Sequence, residues 1–421
     1  MTSKAQNNRR PERRLTLLFI AVGSSFAFIA TVFGALMLAS MSGVKIPINL
    51  ALFSDHPYLQ IFGFLAEFVC GVGYSVIPLF KSNKISNVKV AYVPLSLITI
   101  ANILGIVRVV GYSESLLQIS SLLILVSSVV FCYQILSVLG RQSKILGEAE
   151  PFFSMAALSF VLISVVFFVN STFPAYVGTG SGGLFSADFI YLSLAGFTGS
   201  MIFGVELRTV AFRMTSYRKN AAKVAAALQG LSILLVFVSV FRGLGRLGDI
   251  GSVTFLLSGI CFAIAIRIFE GKAKSRVLLP LTEGRPNVAS HNVISDYTST
   301  CITSSMVWLL FSFSIGVAWQ DFGVSGFWVR DSFIHSIAIG FIGSAIIAYG
   351  VVLLPGVISQ KAPRKNLSLL PLLLLNVGLV VRDAGNIYST LTVGSLPIWE
   401  SVSGLFILAA MIVYFENIHI R

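Results

Sequence analysis

Read for polarity alone, the chain is a succession of apolar runs, each about 20 residues long, separated by short polar and often basic connections. A helical run of that length crosses the roughly 30 Å hydrocarbon core of a bilayer. Twelve such runs are predicted, at 15–40, 57–80, 90–111, 115–139, 152–176, 186–208, 223–242, 250–270, 298–319, 330–356, 366–385 and 397–417. None shows the every-second-residue alternation of a half-buried strand. The pattern therefore predicts an all-α integral membrane protein of twelve transmembrane helices.

Composition agrees. Of 421 residues, 56% are hydrophobic and 11% charged, with a mean hydropathy of +0.88. Soluble domains carry about a quarter charged residues. The net charge of +13 would suit a nucleic-acid partner, so its distribution has to decide. With the N-terminus in the cytoplasm and sides alternating, 24 of the 30 basic residues fall on the cytoplasmic side. Only Lys45, Arg108, Arg242, Arg246, Arg330 and Arg382 fall outside. That bias is the positive-inside rule, and it orients both termini to the cytoplasm. The expected partner is the lipid bilayer, with no nucleic acid, and the expected location is the plasma membrane. Residues 1–14 read as a basic cytoplasmic tail and 15–421 as one membrane domain. The first run is too long for a signal peptide and lacks a small-residue cleavage site, so it reads as a retained helix. Cys70, Cys132, Cys261 and Cys301 all lie inside runs, which implies neither a disulfide framework nor a zinc site.

The polar residues within the runs follow a longer period. The second, sixth and tenth runs read "DHPYLQIFGFLAEFVCG", "DFIYLSLAGFTGSMIFG" and "DSFIHSIAIGFIGSAIIAYG". Each has an aspartate at its mouth (Asp55, Asp188, Asp331) and a Gly-Phe pair further in (Gly63-Phe64, Gly196-Phe197, Gly340-Phe341). Five residues before each glycine stands Tyr58, Tyr191 or His335. The third, seventh and eleventh runs each close with Arg-x-x-Gly, at Arg108, Arg242 and Arg382. Asn102 and Asn376 each precede their arginine by six residues. Both signatures recur every four runs, predicting three pseudo-repeated four-helix units at about 15–140, 150–271 and 298–421. The arginines break the charge bias in equivalent places, which predicts pairing with an anion or with the mouth aspartates.

Ionisable groups in membrane helices mark function by default. His291 and His419 lie in polar segments. His56 and His335 lie near one end of the second and tenth runs, where two imidazoles could each offer one ligand to haem iron or copper. Pro57 suggests that the second helix starts at His56. Measured from the glycines, His56 stands two residues further out than His335. Glu67, about three turns into the second run, is a candidate proton site.

Helices in three groups of four, with histidines on the second and tenth, resemble the catalytic subunit of haem–copper oxidases. More closely, "FGFLAEFVCGVGYSVIPLF" and "HSIAIGFIGSAIIAYG" resemble the NnrS family of twelve-span haem- and copper-associated proteins of nitric oxide metabolism. The resemblance implies haem b, with copper as the alternative metal, held by His56 and His335. It implies Arg108, Arg242 and Arg382 facing haem propionates, with Tyr58 and Tyr191 as further cofactor contacts. It also implies a role in the nitric oxide response or in electron transfer, with an electron donor or respiratory subunits as partners. The chain departs from the family at His56-Pro57-Tyr58, where NnrS proteins tend to carry His-x-His. It also lacks the further histidines an oxidase needs on the sixth, seventh and tenth helices, which excludes a terminal oxidase or nitric oxide reductase. A secondary transporter using Glu67, or a non-catalytic subunit of a respiratory assembly, are the alternatives. The glycine-rich 178–183 follows no strand and opens no soluble helix, so it reads as a loop rather than a phosphate cradle.

Overall fold

The computed structural model of the chain describes residues 11–45, 51–111, 114–141, 146–173, 186–210, 217–242, 245–268, 288–321, 327–358, 368–392 and 396–419. Among the described residues the protein is all-helical. Eleven helices are long and apolar enough to cross a membrane: Glu12–Met41, Asp55–Lys81, Val88–Arg108, Glu114–Leu139, Gly147–Thr172, Asp188–Thr209, Lys219–Phe241, Gly245–Ala265, Asp296–Ala318, Trp328–Val351 and Leu370–Thr392. A shorter apolar helix, Ile398–Tyr414, is the twelfth. These are the first to twelfth spans below.

Boundaries move by several residues from those predicted. The helix of the ninth span runs over Val288–Asp321, ten residues ahead of its apolar run. Main-chain hydrogen bonding continues past the lipid-matched stretch, and apolarity marks only the part that lipid touches. The larger correction is at His56. The helix there begins at Ala51, with Pro57 inside it, so His56 is an interior residue and not a helix start.

Burial sorts the spans into a centre and a shell. The second, sixth and tenth are 78%, 100% and 67% buried, against 33% for the seventh. Shell helices turn Leu122, Val129, Leu234 and Val380 outward, as a lipid-facing surface requires. The three central spans share one further feature. Each changes from α- to π-helix near its aspartate: Leu59–Leu65, Tyr191–Gly199 and Ser336–Gly343. Every one of these π segments contains its Gly-Phe pair.

A π turn shifts main-chain bonding from i+4 to i+5 and strands carbonyls that an α-helix would satisfy. Neighbouring helices supply the missing donors. Asn102 Nδ2 on the third span bonds the Phe62 carbonyl at 3.1 Å. Gln229 Nε2 on the seventh bonds the Ala195 carbonyl at 2.9 Å, and Ser305 Oγ on the ninth bonds the Phe341 carbonyl at 2.8 Å. Close packing holds the segments as well: a Cβ on Gly340 would stand 2.5 Å from the Trp308 ring.

Gln229 is the most heavily used of these donors. It also bonds Ser200 Oγ at 3.0 Å and accepts from Ser258 Oγ at 3.1 Å. Gln229→Leu leaves those groups buried with fewer partners, each worth about 1–3 kcal/mol. The expected result is a lower melting temperature in detergent by circular dichroism. An unchanged melt would show that the π carbonyls need no donor.

Candidate functional site

The end of the bundle carrying the three aspartates holds the paired histidines. Their rings stand 6.4 Å apart, centroid to centroid, and their planes differ by 12°. The offset in sequence is absorbed at the π segments, which begin three residues after His56 but immediately after His335. Each imidazole is fixed through Nδ1. His56 Nδ1 donates to the Ala30 carbonyl of the first span at 2.7 Å. His335 Nδ1 lies 2.9 Å from the Asp331 carbonyl and 3.1 Å from Asp331 Oδ1. With the proton on Nδ1, the lone pair sits on Nε2, the atom a metal would take. Neither Nε2 has a hydrogen-bond partner among the described residues. Gly34 makes room for this arrangement, because a Cβ there would stand 2.6 Å from His56 Cε1.

Two imidazole nitrogens binding one metal at ~2.0–2.1 Å lie roughly 4 Å apart, which places the ring centroids at about 6 Å. The observed separation fits a shared ion. Among the described residues no group of three or more His, Cys, Asp or Glu is placed to hold a metal ion. A copper centre built from protein ligands alone would therefore have only the two imidazoles. A haem needs only an axial pair, since its macrocycle supplies the other bonds, and the residues present fit that group.

The arginines go to the mouth aspartates. Arg382 forks onto Asp331, Nε to Oδ2 at 2.8 Å and Nη2 to Oδ1 at 2.9 Å. Arg108 Nη2 reaches Asp55 Oδ1 at 2.6 Å. In the sixth span, Asp188 accepts from Ser239 Oγ at 2.8 Å, and the side chain of Arg242 lies outside those described. Of the two pairings predicted for these arginines, the aspartates are the one formed by Arg108 and Arg382. Asn386 Nδ2 adds a bond to Asp331 at 2.9 Å. Arg382, Asp331 and His335 thus form a chain in which a carboxylate orients an imidazole and a guanidinium orients the carboxylate.

Two further acids lie beside this chain. Asp383 accepts from Ser336 Oγ at 3.1 Å, and Oδ1 of Asp383 and both carboxyl oxygens of Glu400 are buried without a hydrogen-bond partner. Sequence reading passed over both. The available signal was an acid within an apolar stretch, at "VVRDAG" and "PIWESV".

The remaining candidates sit apart from the histidines. Tyr58 donates to the Ala101 carbonyl on the third span at 2.9 Å. The Tyr191 ring packs on Phe333 and Phe255, with centroids at 4.7 and 5.6 Å. No described contact joins either tyrosine to the imidazole pair. Glu67 is fully buried; Oε1 accepts from Thr99 Oγ1 at 2.9 Å, and Oε2 has no partner. Glu67→Met removes an unpartnered buried acceptor while Thr99 keeps its bond to the Leu95 carbonyl. Its expected melting temperature is equal to or above that of the wild type. A clear loss would assign Glu67 a structural role.

Residues 285–417 match a family described as a domain of unknown function, DUF8744. No curated protein matches the chain. The matched segment carries Asp331, His335, Arg382, Asp383 and Glu400 but not His56. Its description assigns no ligand or activity.

Proposed function

We propose that the chain is an NnrS-like membrane haem protein of the plasma membrane, acting in the nitric oxide response or in electron transfer. His56 and His335 would hold the iron of a haem b. The observation that carries this reading is the near-parallel imidazole pair at 6.4 Å, each ring with Nδ1 bound and Nε2 open. The π segments with their Gly-Phe pairs, recurring in the second, sixth and tenth spans, support three four-helix units. The distribution of basic residues supports cytoplasmic termini and a haem near the outer face. An electron donor or respiratory subunit is the partner this reading requires.

A bis-imidazole haem supplies one-electron transfer. The protein's own groups set the ligands. The Ala30 carbonyl and Asp331 accept from the two Nδ1 atoms and fix the rings, leaving each Nε2 as the atom not used by those bonds. The Asp331 carboxylate also orients the His335 ring, and Arg382 keeps that carboxylate in register.

The test is an absorption spectrum of the purified full-length protein after haem supplementation. The wild type is expected to show a low-spin Soret band. His56→Ala and His335→Ala are each expected to lose the low-spin form. A wild type that takes up no haem would overturn the reading. The buried Glu67 carboxyl, with Oε2 unpartnered, favours a second reading, a proton-coupled transporter, which predicts uptake into liposomes that Glu67→Gln abolishes.

A further inference from the structure

On the other side of the π segments from the histidines, the three central spans line a narrow, partly open apolar lumen of about 60 Å³. It starts where those segments end, at Leu65, Thr198 and Ile342, and runs away from the aspartate end. One stripe of each helix lines it, reaching Val76, Val205 and Gly350, and the first span closes it with Thr16 and Ile20. From Leu65 to Val76 is eleven residues, a length of roughly 16 Å.

The walls are apolar. Thr16 turns its hydroxyl to the Glu12 and Gly71 carbonyls, and Thr198 turns its own to the Ser193 carbonyl. The Tyr349 hydroxyl accepts from Thr209. A water file or an ion would find no partners in such a space, and apolar cavities of this kind stay dry or take apolar ligands. The wall from the sixth span is fully buried, whereas Ile20, Phe68, Val72 and Ile346 are half-buried. Access therefore lies on the side of the first, second and tenth spans.

We infer that this lumen takes a single linear hydrocarbon chain, drawn from the surrounding membrane. Its length matches the ~15 Å hydrocarbon depth of one leaflet. The lining is almost wholly apolar, with Ser75 its one hydroxyl not accounted for by a bond above, so a polar head group stays outside the wall. The chain can belong to a phospholipid, a free fatty acid or a prenyl compound, since the wall recognises only the methylenes. This inference does not depend on haem.

Native mass spectrometry of the full-length protein, delipidated in mild detergent, tests the inference. About one chain-bearing molecule per protein is expected to remain, and its mass identifies which of the three sources supplies it. Ala345→Phe, which fills the lumen, is expected to cut that occupancy at least tenfold. No retained chain in the wild type, or equal retention in a folded Ala345→Phe protein, would overturn the proposal. Should that variant not fold, a diazirine-bearing fatty acid photolysed in the wild type decides instead. Label is expected on peptides spanning 65–76, 198–205 and 342–350, and label found only elsewhere would overturn the assignment.

Discussion

Arg382→Gln is expected to destabilise the protein by about 3–5 kcal/mol, the cost of removing one partner from a buried ion pair. The guanidinium makes two bonds to Asp331, itself 9% exposed, and sits beside Asp383 and Glu400, which are 5% and 0% exposed. Without it, three buried carboxyls keep their desolvation cost and lose the facing cation. Adding Asp331→Asn to Arg382→Gln removes one of those charges, so the double variant is expected to recover much of the loss. The double-mutant cycle reads the coupling directly. Arg108→Gln is expected to cost less, because the Arg108 side chain is 19% exposed against 12% for Arg382. Thermal melts of the wild type, Arg382→Gln, Asp331→Asn, the double variant and Arg108→Gln in one detergent close the cycle and check the order. A cycle with no coupling would mean the fork carries no energy.

Gly34→Val is expected to abolish low-spin haem binding while leaving the helices in place. The glycine lies against the His56 imidazole, and even a methyl group there would stand 2.6 Å from Cε1 and 3.1 Å from Nδ1. The ring has to turn, and turning it breaks the bond to the Ala30 carbonyl that holds the tautomer. Gly34→Ala is the milder form, with at least a tenfold loss of haem affinity expected. That is about 1.4 kcal/mol, a modest demand for moving one axial ligand. Gly230→Ala serves as the control: its nearest contact is Met155 Sδ at 3.4 Å, and alanine suits a helix better than glycine. Haem titrations followed at the Soret band decide the outcome. Wild-type affinity in Gly34→Val would remove His56 as a ligand.

These two sites differ in how far they could be read beforehand. The pairing of His56 with His335 was expected from their shared place beside the Gly-Phe spans. Its geometry was not, because a two-residue offset leaves a shared site either to tilt or to tolerate it. In the structure the rings are nearly parallel, with His56 inside a helix that starts at Ala51. The π segments escape sequence reading for a physical reason. A π turn is stabilised by a donor on another helix, and no local pattern in "LQIFGFL" announces Asn102 forty residues away. Asp383 and Glu400 were missed for a related reason: an acid near the end of an apolar run looks solvated until a neighbouring helix covers it.

The order of apolar runs, by itself, determined a helical membrane protein of about twelve spans, because only a closed set of main-chain hydrogen bonds tolerates lipid. The spacing of Asp, Gly-Phe and Arg-x-x-Gly marked the second, sixth and tenth spans and their partners. The tertiary structure alone decided which spans are central, that Arg108 and Arg382 go to the mouth aspartates, and that the two imidazole rings stand 6.4 Å apart and nearly parallel. Those outcomes depend on distances between helices far apart in the chain. Burial, steric fit against Gly34 and the reach of a side-chain donor are properties of that packing and not of any one helix.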